Sequence, residues 1–206
     1  MLRIWGRTNS SNVQKVLWCC VELGLAYERI EAGAEHGVVG TPEYRAMNPN
    51  SLVPTIDDDG FVLWESNVIV RYLAQKHGLG TLCPRDIHAR FLAEKWMDWQ
   101  TTTLWPAFMP AFIGLVRTPA EKRDGSAIAA AQRETARRLG ALEAQLGRTP
   151  YVAGSTFTMG DIPAGISAFR LFSLGIKRSE FPNVAAWYDG LTKRPGYEAH
   201  AMLPLS

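Results

Sequence analysis

The sequence predicts a mixed α/β domain over residues 1–80, a short linker, and an all-helical domain over residues 86–206. Three observations carry this reading. The first eighty residues alternate short strand-like runs with helical periodicity, and a tight-turn signal, Asp57-Asp58-Asp59-Gly60, lies between two apolar runs. Gly78-Leu79-Gly80 and Cys83-Pro84 then interrupt the pattern. Beyond them the apolar residues recur only at helical spacing.

The elements follow in order. Leu2 to Gly6 reads as a strand. The cluster Thr8-Asn9-Ser10-Ser11-Asn12 favours turns and helix caps. Val13, Val16, Leu17, Cys20 and Val21 recur at helical spacing and Gly24 closes that helix. Tyr27 to Ile30 alternates as a second strand, parallel to the first because a helix connects them. Glu31 to Thr41 is a glycine-rich loop. Thr41-Pro42-Glu43 opens a short helix, with Thr41 as cap and Pro42 in its first turn. Val53-Pro54 is a turn, for which a cis peptide is a hypothesis. Thr55–Ile56 and Phe61–Trp64 are the arms of the hairpin. Ser66 is expected to cap a helix carrying Ile69, Val70, Tyr72 and Leu73, which stops at Gly78. The order βαβαββα is the layout of a thioredoxin-like domain. In the second half, Asp86 to Val116 is a helical stretch that Pro106 and Pro110 are expected to kink or break. Pro119 to Leu146 reads as one helix, whose Arg133, Arg137 and Arg138 form a solvated face. Thr158-Met159-Gly160-Asp161 is a capping box, so Asp161 is read as a structural cap rather than a catalytic carboxylate. Pro182 starts a last helix, ended by Arg194-Pro195-Gly196.

Composition excludes several classes. A net charge of +2 on 206 residues gives no electrostatic case for nucleic acid or an anionic membrane surface. No apolar run approaches the roughly 20 residues that span a bilayer, and the first residues show no signal-peptide layout. The three cysteines, Cys19, Cys20 and Cys83, form no disulfide framework and no zinc spacing, so no metal is expected and a reducing cytoplasm fits. Gly-x-Ser-x-Gly, phosphate-loop and dinucleotide fingerprints are absent.

One joint pattern remains. Asn48-Pro49-Asn50-Ser51-Leu52-Val53-Pro54-Thr55-Ile56, the hairpin, and then Glu65-Ser66-Asn67-Val68-Ile69 leading to Tyr72-Leu73 offer an extended backbone and an open helix N-terminus to a small peptide with a carboxylate. This combination resembles the glutathione-binding domain of cytosolic glutathione transferases, and the resemblance covers nearly the whole chain. It implies that Val53 pairs its backbone with the cysteinyl part of glutathione, beside Pro54. It also implies that Glu65 holds the γ-glutamyl ammonium and Ser66 the γ-glutamyl carboxylate. The glycyl carboxylate would fall near His36 or Leu52. A homodimer is implied, in which Asp98 reaches the neighbouring subunit's γ-glutamyl ammonium. No cofactor is implied, glutathione being a co-substrate.

The chemistry then needs a neutral donor. A thiol near 8.5 holds only a few per cent thiolate at neutral pH, and lowering it by about 2 units takes roughly 2.7 kcal/mol. A hydroxyl bonded to the thiolate supplies about 1.5–3 kcal/mol, and the helix dipole adds about 0.3–1 kcal/mol. Thr8, Asn9, Ser10, Ser11 and Asn12 all stand at the start of the first helix. Serine-type transferases show Ser-x-x-x-Arg there; Ser11 and Lys15 match with Lys for Arg, and Asn12 is the alternative to Ser11. Cys19 and Cys20 lie too far down the helix for that role. The electrophile, a small apolar molecule, is expected between the domains against Trp105, Phe108 and Phe112. The expected function is a cytoplasmic glutathione transferase. Two rivals are a glutathione-dependent disulfide or peroxide reductase on the same fold and a non-catalytic binding protein.

Overall fold

A computed structural model describes residues 1–205. Its first part runs β1 (Leu2–Trp5), α1 (Ser11–Glu22), β2 (Tyr27–Ile30), α2 (Pro42–Met47), β3 (Thr55–Asp58), β4 (Phe61–Trp64) and α3 (Ser66–His77). The sheet order is β2-β1-β3-β4, with β1 parallel to β2 and the other pairs antiparallel. Local chemistry sets the punctuation. Leu25 N–H donates to Cys20 O and Gly24 N–H to Val21 O, the two bonds that end a helix on a left-handed glycine. Asp59 and Gly60, with φ of 53° and 93°, make the two-residue hairpin turn. Thr41 Oγ1 accepts from Tyr44 N–H and caps α2.

Strand β3 runs two residues beyond the expected Thr55–Ile56, β1 stops one residue short of Gly6, and one helix start differs from expectation. Ser66 is the first helical residue, not the cap; Glu65 takes the cap position with φ 72°.

The second part is α4 (Ile87–Trp99), α5 (Trp105–Phe112), α6 (Gly125–Leu146), α7 (Asp161–Ser173), α8 (Pro182–Leu191) and α9 (Pro195–His200). The prolines do not break the helical run from Ile87 to Arg117. Two wide π-type stretches, Gln100–Leu104 and Ile113–Arg117, flank α5 and absorb the missing donors. Thr101 and Thr102 hydroxyls donate back to the Met97 and Asp98 carbonyls of the preceding turn. The stretch from Pro119 is not one helix either. A 3₁₀ turn at Ala120–Lys122 comes first, and α6 begins only where the Asp124 carboxylate accepts from the Ser126 and Ala127 N–H groups. Finally, Pro195 does not terminate the chain's helices but opens α9.

The two parts share one hydrophobic core. α1 lies at its centre, packed on α3 on one side and on α7 and α9 on the other. Trp18 is fully buried and meets Tyr197 edge-on at 4.8 Å. Tyr197 Oη donates to Gly165 O at 2.8 Å, and Arg194 grips Glu22 through two bonds of 2.8 and 2.6 Å. Asp161 is a structural residue, as expected: its buried carboxylate accepts from the Val152 and Thr158 N–H groups, the Thr158 hydroxyl and Trp187 Nε1. Burial raises its pKa to about 6 against the opposing effect of those bonds. Among the described residues no helix is long and apolar enough to cross a membrane.

Candidate active site

The site assembles where four segments meet. The first is the loop before β3. Asn48 Nδ2 donates to Leu52 O and Thr55 Oγ1, and Tyr44 Oη donates to Leu52 O at 2.7 Å. These bonds hold the Val53-Pro54 limb, whose peptide is cis. Neither the N–H nor the C=O of Val53 finds a backbone partner among the described residues, so both remain open to an extended ligand. The second segment is the start of α3. Glu65, Ser66, Val53, Pro54, Leu52 and Asn12 line a small cavity of about 50 Å³. Ser66 Oγ donates to Asn12 Oδ1 at 3.2 Å. The positive φ of Glu65 is a strained backbone for a non-glycine residue, costing on the order of 1–3 kcal/mol, of the kind that clusters at ligand clamps.

The third segment is the start of α1. Ser10 occupies its cap position without a side-chain cap bond, and no acidic residue stands in the first turn. The N–H groups of Ser11, Asn12 and Val13 have no backbone acceptor among the described residues. This is a bare, positive helix end. Ser11 and Asn12 both border a cavity of about 430 Å³ and a second one of about 90 Å³. The fourth segment, α5 with the wide stretch after it, supplies the apolar wall of the large cavity: Trp105, Met109, Phe112 and Ile113.

Sequence reasoning placed Ser11, Asn12, Leu52, Val53, Pro54, Glu65, Ser66, Trp105 and Phe112, and all of these line the cavities. Phe108 does not. It is fully buried behind Trp105 and Phe112 with ring centroids at 6.0 and 6.4 Å, because its step along α5 turns it into the core. His36 lines none of these cavities; it faces Glu35 at 3.4 Å and Glu31 at 3.6 Å. Asp98 pairs with Arg71 of its own chain. Cys19 and Cys20 are buried, and burial holds the Cys19 thiol well above its ordinary value and pushes Cys20 up to about 12, so neither offers a thiolate.

Of the cations, only Lys15 was named from sequence, as the basic residue after Ser11; the arginines were missed. Arg7, Arg117 and Arg170 line the large cavity, and Lys15 with Arg170 lines the one behind Ser11. Arg170 is 2% exposed and Lys15 4%. Arg170 donates to Gln14 Oε1 at 2.6 Å and to Ile166 O at 3.0 Å, and Lys15 donates to Gln100 Oε1 at 3.1 Å. Every one of these acceptors is neutral. Burial first, then the neighbouring Arg170, lowers the Lys15 pKa to about 7, with Glu65 opposing from a distance. Burial lowers that of Arg170 to about 10. One signal was available: Arg170 continues the buried stripe of Ile162 and Ile166 at helical spacing, where an arginine is out of place.

A thioredoxin-type sheet domain with an open peptide edge, joined to a helical domain that gives one wall of a cavity beside it, defines a class of two-domain proteins built to bind a small peptide. The comparisons narrow it. The N-terminal glutathione S-transferase domain model matches residues 9–76 and the C-terminal one residues 97–195. "Glutathione S-transferase GstB" of Escherichia coli is 43% identical over 208 residues, covering all of both chains. "Glutathione S-transferase 3" of Zea mays is 31% identical, covering 99% of this chain and 95% of its own. Among solved structures, the theta class glutathione S-transferase of Xanthomonas axonopodis pv. citri with glutathione bound superposes with a TM-score of 0.94 at 46% identity, covering 100% of this chain and 99% of its own. This chain belongs to the glutathione S-transferase family.

Proposed function

We propose that this protein activates the thiol of glutathione and adds it to an electrophilic carbon. One observation carries the reading: the bare start of α1, with Ser11 and Asn12, stands between a peptide-accepting edge and a cavity with an aromatic wall. Residues 1–80 would hold glutathione and residues 86–206 the electrophile. Val53 pairs with the cysteinyl backbone. Glu65 takes the γ-glutamyl ammonium and Ser66 its carboxylate, at the N-terminus of α3. The sulfur then lies at α1, where the Ser11 hydroxyl donates to it and the helix end favours its charge. The thiol proton leaves to solvent. The thiolate forms the S–C bond, and the electron pair departs with the leaving group or into a conjugated acceptor. No cofactor enters. Leu52 lines the cavities and His36 does not, so the glycyl end is assigned to Leu52, and Arg7, which stands beside Val53 near Gly33, adds a cation there.

Two features favour this over a reductase that forms a mixed disulfide with its own cysteine: all three cysteines are buried, and none lines the cavities. Against a purely binding role stands the unoccupied hydrogen-bonding capacity of α1 at the point where sulfur would lie. A homodimer in the cytoplasm completes the reading, in keeping with the family. The test is the ultraviolet absorbance of bound thiolate against pH. In the native protein it should titrate well below free glutathione. Ser11→Ala should remove most of that shift and lower kcat/KM near neutral pH by about 10- to 100-fold, the worth of one charge-assisted bond. A shift that survives in Ser11→Ala and disappears in Asn12→Ala would move the role to Asn12.

A further inference from the structure

The large cavity carries charge of one sign. Arg7, Arg117 and Arg170 are in its lining, and no aspartate or glutamate is. The adjoining cavity adds Lys15, again without a carboxylate. Among the described residues none of these four cations is ion-paired. A buried cation without a counter-charge is costly, and two of these are buried almost completely.

Glutathione accounts for part of this charge. Its γ-glutamyl carboxylate belongs at α3, away from the arginines, and its glycyl carboxylate belongs on the Leu52 side with Arg7. Its thiolate places a single negative charge beside Ser11. Arg170 and Arg117 remain, on the side of the cavity where Trp105 and Phe112 stand 5.5 Å apart. The Arg117 guanidinium lies 5.3 Å from the Phe112 ring centroid, so cationic and aromatic surfaces adjoin.

We propose that the second substrate is an aromatic electrophile bearing an anionic group, in the simplest case a carboxylate. Arg170 and Arg117 hold that group while the ring lies against Trp105 and Phe112. The inference rests on the transferase reading above and specifies its substrate class. For an aryl chloride the step balances without a redox partner. The thiolate adds to the carbon bearing chlorine, the ring holds the electron pair with the help of a nitro group, and chloride leaves as the S–C bond is kept.

The test compares a chloronitrobenzoate with the matching chloronitrobenzamide. The two share ring, leaving group and shape but differ in charge. Without enzyme the carboxamide reacts faster, because it withdraws electrons more strongly than the carboxylate. The intact protein should invert that order, with kcat/KM for the benzoate at least about tenfold above that for the benzamide, as a charge-assisted bidentate contact provides. Arg117→Gln, at an exposed position that folding tolerates, and Arg170→Gln should each pull the ratio back toward one. If both substrates slow together in Arg170→Gln and Arg117→Gln and the ratio holds, the arginines serve the thiolate and the proposal falls. A native protein that turns over the benzamide as fast as the benzoate also overturns the proposal while leaving the transferase reading intact. If neither substrate is consumed and bound glutathione shows no thiolate shift, the transferase reading itself fails and takes this inference with it.

Discussion

Ser66 and Lys15 show how a single side chain at this site is tied to its surroundings. Ser66 Oγ already donates to Asn12 Oδ1, so one hydroxyl links the carboxylate end of the glutathione site to the thiol end. Ser66→Ala should weaken glutathione binding by about 1 kcal/mol, the net value of a hydrogen bond, measured by calorimetry. Lys15 tests the charge of the site in the absence of ligand. Its pKa in the folded chain is about 7 against an ordinary 10.5. Between those values the unfolded chain holds a proton that the folded chain has released, so this group makes stability rise with pH across that window. Lys15→Met should therefore stabilise the protein near neutral pH and lose that advantage toward pH 10, as read from urea midpoints. Legibility at this scale was uneven. Residues that act through local chain geometry, such as Val53, Glu65 and Ser11, sit in short motifs that carry the family resemblance and could be placed from it. Arg170 could not, because it reaches Gln14 of α1 across 156 residues of sequence. The direction of His36 was not legible, because a loop histidine carries none in its sequence; here it turns toward Glu31 and Glu35.

At the scale of elements, α1 decides the geometry. Its N-terminus faces the cavity and its flank is held by α7 and α9. The α7 contact is close. A Cβ on Gly165 would stand 2.8 Å from Leu191 Cδ1 and 2.9 Å from Trp18 Cζ3. Gly165→Ala should cost about 1–3 kcal/mol of stability through overpacking, seen as a lower denaturation midpoint. The order of strands and helices was readable because glycine, proline and capping residues mark nearly every boundary. The misreadings arose where tertiary chemistry overrode a local rule. Pro106 and Pro110 looked like breaks, but wide helical turns and threonine hydroxyls accommodate them. The 119–146 region looked continuous, but Asp124 restarts the helix. Pro195-Gly196 looked terminal, but Gly196 provides the close approach that lets α9 sit on Trp18.

For the whole molecule, the shared core means that the two halves are not independent. Apolar side chains nonetheless remain exposed, among them Phe61 and Val62 on β4, Val68 on α3, and Ile87 and Phe91 a turn apart on α4. Sedimentation equilibrium should give twice the chain mass, and Phe91→Glu should shift the protein toward monomer. The division into a sheet half and a helical half was legible from periodicity alone. The cavity between them was not, because its walls come from segments whose relative placement no local pattern encodes.

The grip of Arg194 on Glu22 and of Tyr197 on Gly165 has a consequence in time as well as in space. The ribosome makes Ser11 long before Tyr197. While the chain is being synthesised, the flank of α1 that carries Trp18 has no cover, and the start of that helix has no fixed bearing on Trp105. A nascent chain halted before α7 should therefore stick to chaperones and bind glutathione poorly, although the residues proposed to contact the peptide are already made.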